Sequence, residues 1–221
     1  MKRRDFLVIP AKSIGGTLLY SLAGEPIRLY ASGTGELKVP LRFFTEPEAR
    51  KIIAATDRII PSDETGPGAK EANVVVYIDR QLAGPYGRDK YRYTKGPWIE
   101  SVPEHGYQGS ASPREIYRSG LKSLPDNFAG LTGNAQDDAL AAIEKSYFFQ
   151  LLRTHTIEGF LCDPLHGGNA GMIGWQTIGF PGPLMSYRDV VGEHEEPFRP
   201  KPKSLTQILG HPVKGWEEEI E

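Results

Sequence analysis

The chain has 221 residues, with 26 Lys and Arg against 28 Asp and Glu, a formal net charge of −2. That length suits one domain with an appended arm and is enough to bury a core without metal or disulfide support. The near-balanced charge excludes a protein that grips nucleic acid through a one-sign field. A single cysteine, Cys162, excludes an internal disulfide framework and any Cys-cluster metal site.

The N-terminus carries Arg3-Arg4-x-Phe6-Leu7, followed by Ser13 to Gly24, a charge-free stretch. The order resembles a bacterial twin-arginine export signal. The apolar stretch is too short to span a bilayer. Lys12 interrupts its start, and Ser21-Leu22-Ala23 and Leu29-Tyr30-Ala31 both offer a cleavage site. The expected organisation is therefore a signal segment over 1–31, a helical domain over 40–190 and an extended tail over 191–221.

Thr45-x-x-Glu48 is a capping box that opens a first helix, with Ala49, Ile52, Ile53, Ile59 and Ile60 at helical spacing and Pro61 as its stop. A second helix is expected over 71–83, although Val74-Val75-Val76 also suits a strand. From Tyr86 to Ala111 the sequence has no periodicity, and Tyr86, Tyr91, Tyr93, Trp98 and Tyr107 alternate with glycines. A loop of that length is functional or disordered, and its aromatics argue against disorder. Ser112-Pro113-Arg114-Glu115 starts a third helix that ends before Pro125, and two more follow over 134–145 and 146–160. Residues 164–187 carry no formal charge but hold six Gly and three Pro, so they form no membrane helix. The tail beyond Gly192 is rich in charge and proline and reads as extended. The fold class is mainly α: one loop-rich helical domain with long irregular connections.

Candidate chemistry is sparse. The glycines at 167, 168, 171 and 174 match neither the dinucleotide nor the triphosphate spacing, so tight turns and close backbone approach explain them better. His155, Glu158, Cys162, Asp163 and His166 lie close in sequence, but the second metal-binding helix motif that such sites use is missing. A Cys162–histidine thiolate pair lacks any oxyanion motif, and G-x-S-x-G does not occur. The aromatic loop could serve a partner, a sugar or its own helices. In an oxidising compartment Cys162 would suit a bond to a partner subunit, and otherwise a buried small apolar residue.

Glu158-Gly159-Phe160-Leu161-Cys162-Asp163-Pro164-Leu165-His166-Gly167-Gly168-Asn169, then Gly174-Trp175-Gln176 and Ile178-Gly179-Phe180-Pro181-Gly182, resemble the signature of the gluconate 2-dehydrogenase subunit 3 family. Arg58-Ile59-Ile60-Pro61, Gly66-Pro67-Gly68-Ala69, Gly96-Pro97-Trp98, Gly106-Tyr107-Gln108 and Tyr117-Arg118-x-Gly120-Leu121 extend the resemblance from about Phe43 to Tyr187. His166 departs from it, standing where the family pattern has an aromatic residue. The resemblance implies a small subunit with no cofactor and no catalytic or metal-binding residue of its own. Its implied partners are an FAD-binding large catalytic subunit, which it escorts through the twin-arginine translocase to the periplasm, and a multihaem cytochrome c subunit carrying electrons onward at the inner membrane. The motif residues Trp98, Tyr107, Gln108, Glu158, Cys162, Asp163, Pro164, Gly167, Gly168, Asn169, Trp175, Gly179, Phe180, Pro181 and Gly182 are then the expected partner-facing set. Two readings from other classes stay open: an exported metal enzyme using His155, Glu158, Asp163 and His166, and a sugar-binding module using Tyr91, Tyr93 and Trp98.

Overall fold

The computed structural model describes residues 27–31, 35–93, 95–99, 102–184, 186, 188 and 200–210. The arginine pair, Phe6, Leu7, the Ser13–Gly24 stretch and most of the tail lie outside them. The described residues are mainly helical, as the periodicity implies. A two-stranded antiparallel hairpin comes first, β1 (Ile27–Ala31) with β2 (Gly35–Val39), Ile27 opposite Val39. The sequence reading did not foresee this hairpin. Seven helices follow among the described residues: α1 (Glu46–Ile59), α2 (Val74–Ala83), α3 (Pro113–Ser123), α4 (Gly133–Ala141), α5 (Tyr147–Leu161), α6 (Ile173–Ile178) and α7 (Leu205–Leu209).

The helix starts obey the capping chemistry. Glu48 accepts from the Thr45 amide at 2.9 Å, and Glu115 from the Ser112 amide at 2.7 Å, so the expected capping boxes close. The valine run sits inside α2, not in a strand. Val74, Val75, Val76, Ile78 and Leu82 are all buried there, because α2 is wrapped on several sides. Its chief partner is α5, which buries Phe148, Leu151, Leu152, His155 and Phe160. α1 and α3 pack against the same core through Ile52, Ile116, Tyr117 and Leu121. Burying one such side chain is worth about 1.5–3 kcal/mol, so the set outweighs any local strand preference.

Two features position the rest. Asp79, on buried α2, accepts from the backbone amides of Arg42 (2.7 Å), Phe43 (3.0 Å) and Phe44 (2.9 Å), fixing the chain just before α1. Arg114 of α3 donates to the Leu82 and Ala83 carbonyls, satisfying the open end of α2. The fourth helix ends at Ala141, earlier than its sequence pattern implies. Two helices were missed: α6 inside the charge-free segment, and α7 in the tail, where the Ser204 amide donates to Gln207 at 2.9 Å in a further capping box.

Candidate functional site

The signature segment begins where α5 ends. Gly159 lets α5 lie close on α2, since an added Cβ would sit 2.9 Å from the Tyr77 ring. Asn169 is fully buried and held in the left-handed region, φ 46°. Its amide N–H donates to the Gly159 carbonyl at 2.8 Å, and its side-chain amide donates to the Cys162 carbonyl at 2.8 Å. Its side-chain oxygen accepts from the Gly174 amide at 2.8 Å. One asparagine thus joins the end of α5 to the start of α6. Cβ atoms at Gly168 and Gly174 would overlap the carbonyls of Gly159 and Phe160, which is the close backbone approach the glycine run implies.

Trp175 is 4% exposed and donates from its indole to the Leu161 carbonyl at 2.6 Å. Phe180 meets its ring edge-on at 5.1 Å. Asp163 accepts from Leu165 (3.0 Å) and, through its other oxygen, from Leu205 at the start of α7 (2.7 Å). Pro164 opens the turn after it, and Gly167 closes that turn at φ 96°. The Lys203 amide donates to the Pro181 carbonyl at 3.2 Å, and a Cβ at Gly182 would meet the Lys203 carbonyl. The segment from Asp163 to Gly182 is a clasp over the α2–α5 pair. Within that clasp Gly168, Asn169 and Trp175 are buried against the chain's own helices. Of the expected set, Trp98, Gln108, Glu158, Gly179 and Phe180 are exposed.

Beside the clasp lies an open groove of about 420 Å³, lined by Tyr77 and Gln81 of α2, Glu158 and Leu161 of α5, and Cys162, Asp163 and His166. The Tyr77 hydroxyl donates to Glu158 at 3.0 Å. Burial and the neighbouring Glu158 carboxylate push that phenol further up. His166 Nδ1 is buried and makes no hydrogen bond. Cys162 is free and half-buried, its thiol 3.5 Å from the Gly159 carbonyl. Burial pushes that thiol up to about 12, so it stays protonated and is a poor nucleophile at neutral pH.

The metal reading loses its first ligand. His155 is 2% exposed, points into the core, and has Nε2 2.9 Å from the Tyr86 hydroxyl and Nδ1 2.8 Å from the Tyr117 hydroxyl. Burial lowers its pKa to about 4, which keeps the ring neutral. Among the described residues no three His, Cys, Asp or Glu side chains are placed to hold a metal ion together. Sequence reasoning missed Tyr77 and Gln81, although their spacing puts both on one face of α2. It also missed Asp79, whose signal was an acid closing the apolar run Val74–Ile78.

The aromatic loop divides. Tyr107 stacks on Tyr147 of α5, with centroids 4.2 Å apart and planes 12° apart. Gln108 donates to the His105 carbonyl at 2.7 Å. Tyr91, Tyr93 and Trp98 are 70, 76 and 42% exposed.

No curated protein and no solved structure matches the chain. A family model described as gluconate 2-dehydrogenase subunit 3 matches residues 46–182, from the first turn of α1 to the last turn of the clasp. The match spans more than half of the chain and takes in both helices beneath the clasp, so the chain belongs to the gluconate 2-dehydrogenase subunit 3 family.

Proposed function

We propose that this chain is the small, non-catalytic subunit of a dehydrogenase complex acting on gluconate or a related sugar. It binds and stabilises an FAD-bearing large subunit, and its arginine pair sends the folded pair through twin-arginine export to the periplasm. A cytochrome c subunit with haem then passes the electrons onward at the inner membrane. The observation that carries the reading is the family match over 46–182. The side-chain arrangement supports it: the signature residues are spent on holding a clasp in place, which is the economy of a scaffold. Arg3-Arg4-x-Phe6-Leu7 ahead of a charge-free stretch supports the export role.

Affinity purification of the full chain from its native host tests this. A larger co-eluting polypeptide with a flavin absorption spectrum is expected. Replacing Arg3 and Arg4 by Lys should leave both polypeptides in the cytoplasm. A lone, colourless protein would refute the subunit reading.

A further inference from the structure

α7 has five residues, and none of them is buried. An isolated helix needs about 12–15 residues to hold in water, so α7 depends on its attachments. Its internal order is local. The Ser204–Gln207 capping box opens it, the Ile208 amide donates to the Ser204 carbonyl at 3.0 Å, and Gly210 closes it in the left-handed region at φ 69°. Nothing in it matches the buried face that fastens α5, with Phe148, Leu152 and Phe160 in the core.

Among the described residues two backbone donors tie this segment to the clasp. The Leu205 amide donates to Asp163 Oδ2 at 2.7 Å, and the Lys203 amide donates to the Pro181 carbonyl at 3.2 Å. Ser204, between them, is 4% exposed. At the second tie the clasp runs through Gly182 at φ 94°, and a Cβ there would sit 2.2 Å from the Lys203 carbonyl. Asp163 divides its carboxylate. Oδ1 accepts from Leu165 at 3.0 Å inside the clasp, and Oδ2 serves the tail. The same side chain lines the groove. Segments held by a few hydrogen bonds, with little buried apolar surface, open at the low end of a protein's local stabilities, whereas packed core helices open last.

We infer that 203–209 is a latched strap, which lifts from the clasp as a unit while the helical core stays folded, and that Asp163 is its latch. Lifting frees Asp163 Oδ2 and the Pro181 carbonyl, so the strap sets which acceptors the clasp presents beside the groove. The latch needs no partner and is independent of the subunit reading.

Amide hydrogen exchange of the full chain, read by mass spectrometry in rising subdenaturing urea, tests this. In wild type, exchange over 203–209 should be faster than over α5 and nearly independent of urea, because lifting exposes little surface. Asp163→Asn keeps an oxygen for Leu165 and turns an amide toward Leu205 in place of a charged acceptor. Exchange over 203–209 should then rise about ten- to hundredfold, the scale of one hydrogen bond to a charged group, with α2 and α5 unchanged. Gly182→Ala attacks the other tie and should speed the same segment, again without touching the core. Exchange over 203–209 that climbs with urea in step with α5 would overturn the latch, since strap and core would open only together. An Asp163→Asn strap that exchanges at the wild-type rate would overturn it as well. Equal loosening of α2, α5 and the strap by Asp163→Asn would make Asp163 a brace of the whole fold and refute a separate strap.

Discussion

Asp79 is 2% exposed and serves three backbone amides that precede α1. Replacing it by Ala removes every acceptor at once. The Phe44 amide is in the buried part of the cluster and has no route to water, so it bears most of the loss of an unsatisfied donor, about 1–3 kcal/mol. The Arg42 and Phe43 amides lie nearer solvent and lose only the net worth of a hydrogen bond, about 0.5–1.5 kcal/mol each. Asp79→Ala should therefore cost about 2–6 kcal/mol, which for a domain of this size lowers the melting temperature by about 4–24 °C. Asp79→Asn keeps one oxygen for the Phe43–Phe44 pair and should cost about 0.5–1.5 kcal/mol, losing only the Arg42 bond. Urea unfolding of the full chain, followed by circular dichroism, measures both. An Ala variant within about 0.5 kcal/mol of wild type would refute the clamp, since that is the range of a surface substitution away from any such feature. An Asn variant as poor as Ala would refute the assignment of separate oxygens to separate amides.

Further expectations concern the core and the clasp. Gly174→Ala puts a Cβ into the Phe160 carbonyl and should cost about 1–3 kcal/mol, whereas Gly130→Ala, with open space around it, should be neutral by urea midpoint. Trp175→Ala should cost about 3–5 kcal/mol, and Trp175→Phe, which keeps much of the packing but loses the bond to Leu161, about 1 kcal/mol by the same assay. His155 has its pKa depressed to about 4 from an ordinary value near 6.5, so its contribution is complete above pH 6.5 and fades as pH falls toward 4. The loss should reach about 2 kcal/mol by pH 5. His155→Leu should be less stable at pH 7 yet flatter between pH 6.5 and 4.5. An imidazole that titrates near 6.5 by NMR would contradict the buried site.

The sequence by itself determined the elements whose signals are local. The starts of α1 and α3 were legible because a cap reaches only three residues ahead, as Thr45 to Glu48 and Ser112 to Glu115 do. The buried face of α5 was legible because Phe148, Leu151, Leu152 and His155 recur at helical spacing. The signature from Glu158 to Gly182 carried the family without any coordinates. The glycines within it were readable as close approaches, though not what they approach. The tertiary structure alone decided the rest. Val74–Val76 suited helix or strand until α1, α3 and α5 surrounded it. β1 and β2 pair antiparallel, Ile27 opposite Val39, which no helical or capping signal announced. α6 and α7 are short helices, and α7 gains a distant acceptor for its first amide from Asp163, 42 residues earlier in the chain. The same holds for the groove and the clamp. Tyr77 meets Glu158 across 81 residues, and Asp79 meets the Arg42–Phe44 backbone across 35 to 37. A contact between residues so far apart depends on how the helices pack, and no window of sequence contains it.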